Sequence, residues 1–131
     1  MMIVDSNTWA DFFNGIENPH VERLDAALQE EEDLAVIPII VTEVLQGFRN
    51  ETGFKRARRV LVALPIIYPS IDCYVDAARL FRTLRRQGVT VRGAVDCIIT
   101  QACLDVEAEL VSPDADFKHI ARYTPLRLWS Q

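Results

Sequence analysis

Five carboxylates stand just after short apolar stretches or at predicted helix starts, and these side chains are the ones whose spacing could support chemistry. They are Asp5, Glu43, Asp96, Asp114 and Asp116. Carboxylate oxygens are ligands that hard divalent cations prefer. Each acid taken singly can equally be a helix cap, because a side-chain oxygen at a helix start accepts hydrogen bonds from free backbone N–H groups. Whether the acids meet in space therefore decides between these interpretations.

The elements that must position these acids alternate between strands and helices. Short apolar runs rich in Val and Ile predict strands at 2–4, 34–37, 65–69, 110–112 and 125–129. Apolar residues at helical spacing predict helices between these runs. The alternation predicts one α/β domain over residues 1–131, a three-layer α/β/α sandwich with a short, mainly parallel central sheet.

Several details of this pattern can be compared with a structure. Pro38 is expected to close or end the second strand, and Glu43 to lie in the first turn of the next helix. A basic helix is predicted over 54–64, and a longer one over 70–87. The buried stripe predicted for the longer helix consists of Tyr74, Ala77, Ala78, Phe81 and Leu84.

The predicted topology would bring the five acids together. In a parallel α/β sheet, the carboxyl ends of the strands and the starts of the following helices share one edge. A cluster of ionised carboxylates repels itself unless cations neutralise it. Oxygen ligands without His or Cys favour Mg²⁺ or Mn²⁺, and a pair of such ions could activate a water and stabilise a leaving phosphate oxygen. The two histidines, His20 and His119, are expected at the surface.

Basic residues are concentrated in the middle of an acidic chain. The whole chain has a net charge of −5, but residues 49–92 hold ten Lys/Arg against three acids, a net charge of +7. The remainder has a net charge of −12. This asymmetry suggests an anionic partner on one face. The alternative is that the arginines only solvate helix surfaces.

Composition also bears on the compartment. No apolar run approaches the roughly 20 residues needed to span a bilayer, and no signal-peptide pattern is visible. The cysteines are Cys73, Cys97 and Cys103, an odd number without a C-x-x-C pair. We expect reduced core thiols in a cytoplasmic protein with no membrane partner.

Four motifs occur together in order: Ile3-Val4-Asp5-Ser6-Asn7, Thr42-Glu43-Val44, Gly93-Ala94-Val95-Asp96 and Leu110–Phe117. Their order and spacing resemble the PIN-domain family. Within that family the chain looks most like the VapC-type ribonuclease toxins of type II toxin–antitoxin systems. The resemblance covers nearly the whole chain.

The resemblance implies a Mg²⁺-dependent endoribonuclease, with Mn²⁺ as a possible substitute, that cleaves structured RNA, transfer RNA being the first substrate class to consider. It also implies a homodimer and a cognate VapB-type antitoxin. The catalytic acids would be Asp5, Glu43, Asp96 and Asp116. Asp5, Asp96 and Asp116 would ligate metal, while Asp114 could share or take the role of Asp116. Asn7 and Ser112 would support the ligands.

A different class of function remains as the alternative. The chain could be a non-enzymatic nucleic-acid or protein-binding module that uses the basic face alone. Its acids would then be helix caps and would not be needed for activity. A phosphotransferase of the haloacid-dehalogenase type is disfavoured, because Asn7 stands where that family needs a second acid.

Overall fold

A parallel sheet of four short strands organises the computed structural model, which describes residues 1–131. The strands are β1 (Met2–Val4), β2 (Leu34–Ala35), β3 (Glu109–Val111) and β4 (Arg127–Leu128), in the order β2-β1-β3-β4 with every neighbouring pair parallel. The helices are α1 (Ser6–Phe13), α2 (Pro19–Gln29), α3 (Pro38–Leu45), α4 (Glu51–Ala63), α5 (Ile71–Arg86), α6 (Ala94–Asp105) and α7 (Ala115–Ala121). The predicted α/β class with a parallel sheet flanked by helices is confirmed.

The central strands are apolar on both faces because helices cover the sheet. Met2, Ile3 and Val4 of β1 are all buried, and so are Leu110 and Val111 of β3. One hydrophobic cluster joins β1, β2 and β3 to buried residues of all seven helices. Parallel strands buried on both faces read as continuous apolar runs, which is why the runs were visible in the sequence.

The strand order creates a crevice between β1 and β3. The chain leaves β1 toward β2 on one side and leaves β3 toward β4 on the other. In open α/β sheets, ligands bind outside the carboxyl ends of strands at such a switch point. Val4 pairs with Val111 in the parallel register, so Asp5 and Ser112 leave the sheet side by side at this crevice.

The prediction of a strand over 65–69 is wrong. Only a single parallel bridge forms there, between Val36 and Ile66. Pro65 and Pro69 have no backbone N–H to extend a ladder beyond it. The second strand also ends earlier than predicted, since Pro38 is the first residue of α3, a position where a missing N–H costs nothing.

Two helix boundaries differ from the prediction. Because α3 starts at Pro38, Glu43 lies in its second turn and not in its first. The basic helix starts at Glu51, before position 54. The Asn50 side chain accepts a 2.7 Å hydrogen bond from the Gly53 N–H and caps α4, so this glycine lies within the helix.

The buried face of α5 is rotated from the predicted stripe. Cys73, Ala77 and Leu84 are buried, whereas Tyr74 is 43% exposed and Ala78 is also exposed. This helix packs chiefly against α6, and the small side chains of Cys73 and Ala77 allow the two helices to approach. None of the helices combines the length and the apolar character that crossing a membrane requires.

Candidate active site

Asp5 caps α1 and also faces the crevice. Its Oδ1 accepts a 2.8 Å hydrogen bond from the Ser6 N–H, and its Oδ2 accepts a 2.9 Å hydrogen bond from the Ser112 hydroxyl. The residue is only 5% exposed. The cap interpretation is therefore correct for Asp5, but it uses one carboxylate oxygen and leaves the other for the crevice.

Ser112 connects the two sides of the crevice. It follows β3 directly and is 1% exposed. Besides donating to Asp5, its hydroxyl oxygen accepts a 3.2 Å hydrogen bond from the Asp114 N–H. One hydroxyl thus links the end of β1 to the start of α7.

Three carboxylates form a compact cluster. One oxygen each from Asp96, Asp114 and Asp116 lies within 4.8 Å of the others. Asp96 is in the first turn of α6. Asp114 caps α7 by accepting a 2.9 Å hydrogen bond from the Asp116 N–H, so Asp114 and Asp116 lie on the same side of α7. Such a set of oxygens is suited to a divalent cation.

Glu43 reaches the same cavity from α3. A cavity of about 340 Å³ is lined by Glu43 together with Asp5, Asn7, Asp96 and Asp114. The Oε1 atom of Glu43 is buried and has no hydrogen-bond partner. A buried carboxylate oxygen without a partner is costly, which makes this atom a candidate for contact with a water or a cation in the cavity.

Burial and mutual repulsion raise the pKa values of the clustered acids. Burial, together with the charges of Asp114, Asp5 and other cluster acids, raises the pKa of Asp96 to about 6. The pKa of Asp5 is also raised, since its burial outweighs the hydrogen bonds it accepts. Burial and the nearby charge of Asp5 raise the pKa of Glu43. The site is therefore short of positive charge.

The only cationic side chain in contact with the cluster is that of Arg92. Its guanidinium lies 3.4 Å from Oδ2 of Asp116 and 3.8 Å from Oδ2 of Asp114. The side chain is 84% exposed, so the contact is weak and easily exchanged. The sequence placed Arg92 only at the end of the basic segment. Nothing in the sequence pattern relates Arg92 to Asp114 and Asp116, which follow it by more than 20 residues.

The predicted site residues that the structure brings together are Asp5, Glu43, Asp96, Asp114, Asp116 and Ser112. Asn7 is exposed and lines the cavity without hydrogen bonding to the acids. Neither histidine lines the cavity. His119 is exposed, and His20 packs edge-on against Trp129 with ring centroids 5.1 Å apart.

The cysteines do not contribute to the site. All three are free and buried, as predicted. Cys97 follows Asp96 directly but points into the core, where burial raises the pKa of its thiol to about 11. A thiol of that pKa remains protonated at neutral pH, so the chemistry of the cavity is set by oxygen atoms.

Comparison with known proteins identifies the family of this chain. The family model described as "PIN domain" matches residues 2–123. Ribonuclease VapC11 of Mycobacterium tuberculosis is 30% identical, and the match covers 97% of this chain and 96% of that protein.

Two solved structures share the fold. The first is VapBC2 from Rickettsia felis bound to a promoter DNA fragment, with a TM-score of 0.77 and 18% identity, covering 98% of both chains. The second is a toxin–antitoxin complex from Klebsiella pneumoniae, with a TM-score of 0.70 and 22% identity, covering 89% of this chain and 90% of that chain.

Proposed function

This chain belongs to the PIN-domain family, within its VapC branch, and on that basis we propose that it is a divalent-metal-dependent endoribonuclease toxin controlled by a VapB-type antitoxin. The observation that carries the proposal is that the acids that cap α1 and α7 meet acids of α3 and α6 around one cavity at the carboxyl ends of β1 and β3. Helix capping alone does not require Glu43 to reach this cavity, since it lies in the second turn of α3.

The donor set fits Mg²⁺, with Mn²⁺ as an alternative. The cluster offers only carboxylate oxygens, and the adjoining cavity is also lined by Glu43, which has a buried oxygen without a partner. Hard divalent cations prefer such ligands, and Mg²⁺ is commonly held by one or two carboxylates together with phosphate oxygens. We assign Asp5, Asp96 and Asp116 as ligands. When bound, the metal would supply charge neutralisation at the phosphate and an acidified water.

The residues of the chain then position and deprotonate the nucleophile. Glu43 Oε1, free of other partners, accepts the proton of the attacking water. Ser112 holds Asp5 Oδ2 in one orientation through a 2.9 Å hydrogen bond. Attack of the water oxygen on phosphorus breaks the bond to the 3′ oxygen, and this leaving oxygen takes up a proton from solvent. The products then carry 5′-phosphate and 3′-hydroxyl ends.

Asp114 and Asp116 play distinct parts in this scheme. Asp114 lines the cavity with Asp5 and Glu43, which supports a share in metal binding. Asp116 lies beside Asp96 in the carboxylate cluster and contacts Arg92. The variants Asp114→Asn and Asp116→Asn distinguish the parts of the two acids. An Asn at position 114 loses the charge but keeps an oxygen that can cap α7.

RNA is the proposed substrate, with transfer RNA as the first class to test. The arginines on α4 and α5 supply a basic surface; Arg58, Arg59, Arg82, Arg85 and Arg86 are exposed and in no ion pair. Contacts of this kind hold the phosphate backbone without reading sequence, and they weaken with salt.

Partners are proposed from the relatives and from one exposed surface. The Klebsiella pneumoniae structure is a toxin–antitoxin complex by its title, and the Rickettsia felis structure is titled VapBC2 bound to promoter DNA. Both support a cognate antitoxin here. An apolar patch at the start of α5 supports a homodimer. It consists of Tyr68, Ile71, Tyr74 and Val75, exposed by 75%, 76%, 43% and 44%. We place the protein in the cytoplasm, a compartment that suits three free cysteines.

Cleavage of total cellular RNA by the purified protein tests the proposed function. Wild type is compared with Asp5→Asn and with Asp72→Asn, an exposed first-turn acid of α5 outside the cavity that serves as the matched control. Discrete fragments that need Mg²⁺, disappear with EDTA and with Asp5→Asn, and survive Asp72→Asn are expected. Fragments ending in 2′,3′-cyclic phosphate would contradict the mechanism. RNA binding without cleavage, equal in wild type and Asp5→Asn, would favour a binding module.

A further inference from the structure

A second cavity lies beside α7, at the far end of that helix from the acids. It has a volume of about 310 Å³ and is lined by the loop 87–90 and by His119, Arg122 and Tyr123. We call it the α7 cleft. His119, Arg122 and Tyr123 are all exposed, with Tyr123 at 50%. Its lining is polar and basic, which differs from an apolar docking groove.

The α7 cleft is connected to the acid cavity by two segments. The loop that lines the cleft at Thr90 continues to Arg92 and Gly93, which line the acid cavity. Helix α7 begins with Asp114 and Asp116 and ends at the cleft. From Asp116 to Tyr123 the helical rise spans roughly 10 Å, comparable to about three nucleotides at 3.4 Å each along a stacked strand. A strand whose phosphate lies at the acids could therefore reach the cleft.

The charge around the α7 cleft is not neutralised by neighbouring acids. Outside residues 49–92 the chain has only four Lys/Arg. Arg23 forms an ion pair with Glu32, and Arg127 donates to a backbone carbonyl oxygen. The remaining two, Lys118 and Arg122, lie together at the end of α7 and form no ion pair. No acid occurs in 117–123 or in 87–92.

An exposed aromatic ring completes the cleft. The Tyr123 ring packs against no other aromatic side chain, in contrast to the clustered rings of Trp9, Phe12 and Phe13. Single-stranded nucleic acids are commonly held by a basic groove together with aromatic side chains on which bases stack. Adjacent Arg122 and Tyr123 supply both elements at one place.

We propose that the α7 cleft binds the RNA strand on one side of the cleaved phosphate, with Arg122 contacting a backbone phosphate and Tyr123 stacking on a base. Arg92, at the junction of the two cavities, would contact the phosphate nearest the acids. This inference rests on the proposed ribonuclease function. The cleft explains how an anionic strand is retained next to a cluster of carboxylates that repels it.

Binding is measured in a Glu43→Gln background, which removes the proposed proton acceptor while keeping the assigned metal ligands. The probe is a fluorescein-labelled, mixed-sequence, single-stranded RNA followed by anisotropy in Mg²⁺. Tyr123→Ala is expected to weaken binding by about five- to a hundred-fold, the range that loss of base stacking gives, while Tyr123→Phe restores it. Arg122→Ala is expected to weaken binding and to lower the slope of log Kd against log salt by about one.

Two controls distinguish RNA binding in the α7 cleft from a general loss of positive charge and from a loss of folded protein. Arg49→Ala removes an exposed arginine that lies outside the cleft and outside helices α4 and α5, and it should change Kd less than Arg122→Ala. A basic residue at a helix end can also act by stabilising the helix, so thermal melting accompanies each variant. Unchanged Kd for both Tyr123→Ala and Arg122→Ala would overturn the cleft assignment, and so would a loss of binding that tracks a loss of folded protein. Wild-type protein that cleaves no RNA would overturn the proposed function itself.

Discussion

The Ser112 hydroxyl donates a buried 2.9 Å hydrogen bond to Oδ2 of Asp5, although the two residues are 107 positions apart. The bond joins the ends of β1 and β3 at the switch point of the sheet. Because Asp5 Oδ1 is already used by the Ser6 N–H, this contact fixes the direction of the remaining oxygen. The orientation of the Asp5 carboxylate and the link between the ends of β1 and β3 thus depend on the same pair of side chains.

Ser112→Ala should lower Mn²⁺ affinity by about 10- to 100-fold, the usual effect of removing a group that orients a metal ligand. It should also cost about 1–3 kcal/mol of unfolding free energy, because buried polar groups lose a partner. Mn²⁺ titration calorimetry and chemical denaturation measure the two effects. Ser70→Ala, which removes the cap of α5, is the control. It should destabilise the fold without changing metal affinity, and equal metal affinity in both variants would argue against an orienting role for Ser112.

Metal binding should weaken as the pH falls below about 6. The pKa of Asp96 is raised to about 6, so its carboxylate is mostly ionised at neutral pH and becomes protonated below that value. A protonated carboxyl cannot ligate a metal until its proton leaves. Mn²⁺ affinity measured between pH 5 and 8 should therefore reach a plateau above about 7 and fall on the acid side. Affinity that stays flat down to pH 5 would exclude Asp96 as a ligand.

Asp96→Asn should stabilise the metal-free protein at neutral pH. Because the pKa of Asp96 is raised, the folded protein holds the Asp96 proton more tightly than the unfolded chain does. This favours the folded state at pH values below 3.8, and the contribution is lost as the pH rises to about 6. Because Asp96 is partly solvated, we expect a gain on the order of 1 kcal/mol, or about 3–5 °C in Tm. Melting curves in EDTA at pH 7 and below pH 4 test this, since the gain should vanish in acid. A loss of stability at pH 7 would contradict it.

Arg92→Ala should tighten divalent-metal binding. The Arg92 guanidinium contacts Asp116 and Asp114, so a metal that uses the same oxygens must displace it. Because the arginine is exposed, the expected gain is modest, about two- to five-fold in Kd, corresponding to a surface ion pair of under about 1 kcal/mol. Titration calorimetry with Mn²⁺ measures it, and Arg122→Ala is the matched control. Weaker metal binding by Arg92→Ala would show that the arginine organises the acids and does not compete with metal.

Ile71→Asp should convert a homodimer into a monomer. Ile71 is 76% exposed within the apolar patch at the start of α5, and a charge in the centre of a buried interface is costly. Sedimentation velocity or light scattering reports the mass, with Asp72→Asn again as control. A dimer that persists with Ile71→Asp would place the interface elsewhere. A monomeric wild type would remove the dimer proposal.

Much of the local structure could be predicted from the sequence. Runs such as Met2–Val4 are apolar on consecutive residues, a pattern typical of a strand buried on both faces. Capping residues such as Ser70 mark helix starts through their own side chains. The prediction of a strand over 65–69 was wrong because its flanking prolines allow only one bridge. The predicted buried face of α5 was wrong because the contact with α6 favours small side chains over the larger Tyr74.

Local sequence was enough to predict which acids follow strands or begin helices, since those positions depend on neighbours a few residues away. The entry of Glu43 into the cavity from the second turn of α3, and the contact of Arg92 with Asp114 and Asp116, depend on how distant segments pack. Contacts of this kind depend on strand order and on where each loop crosses the sheet edge. Local periodicity predicts neither the strand order nor the paths of the loops, because many chain paths share the same local pattern.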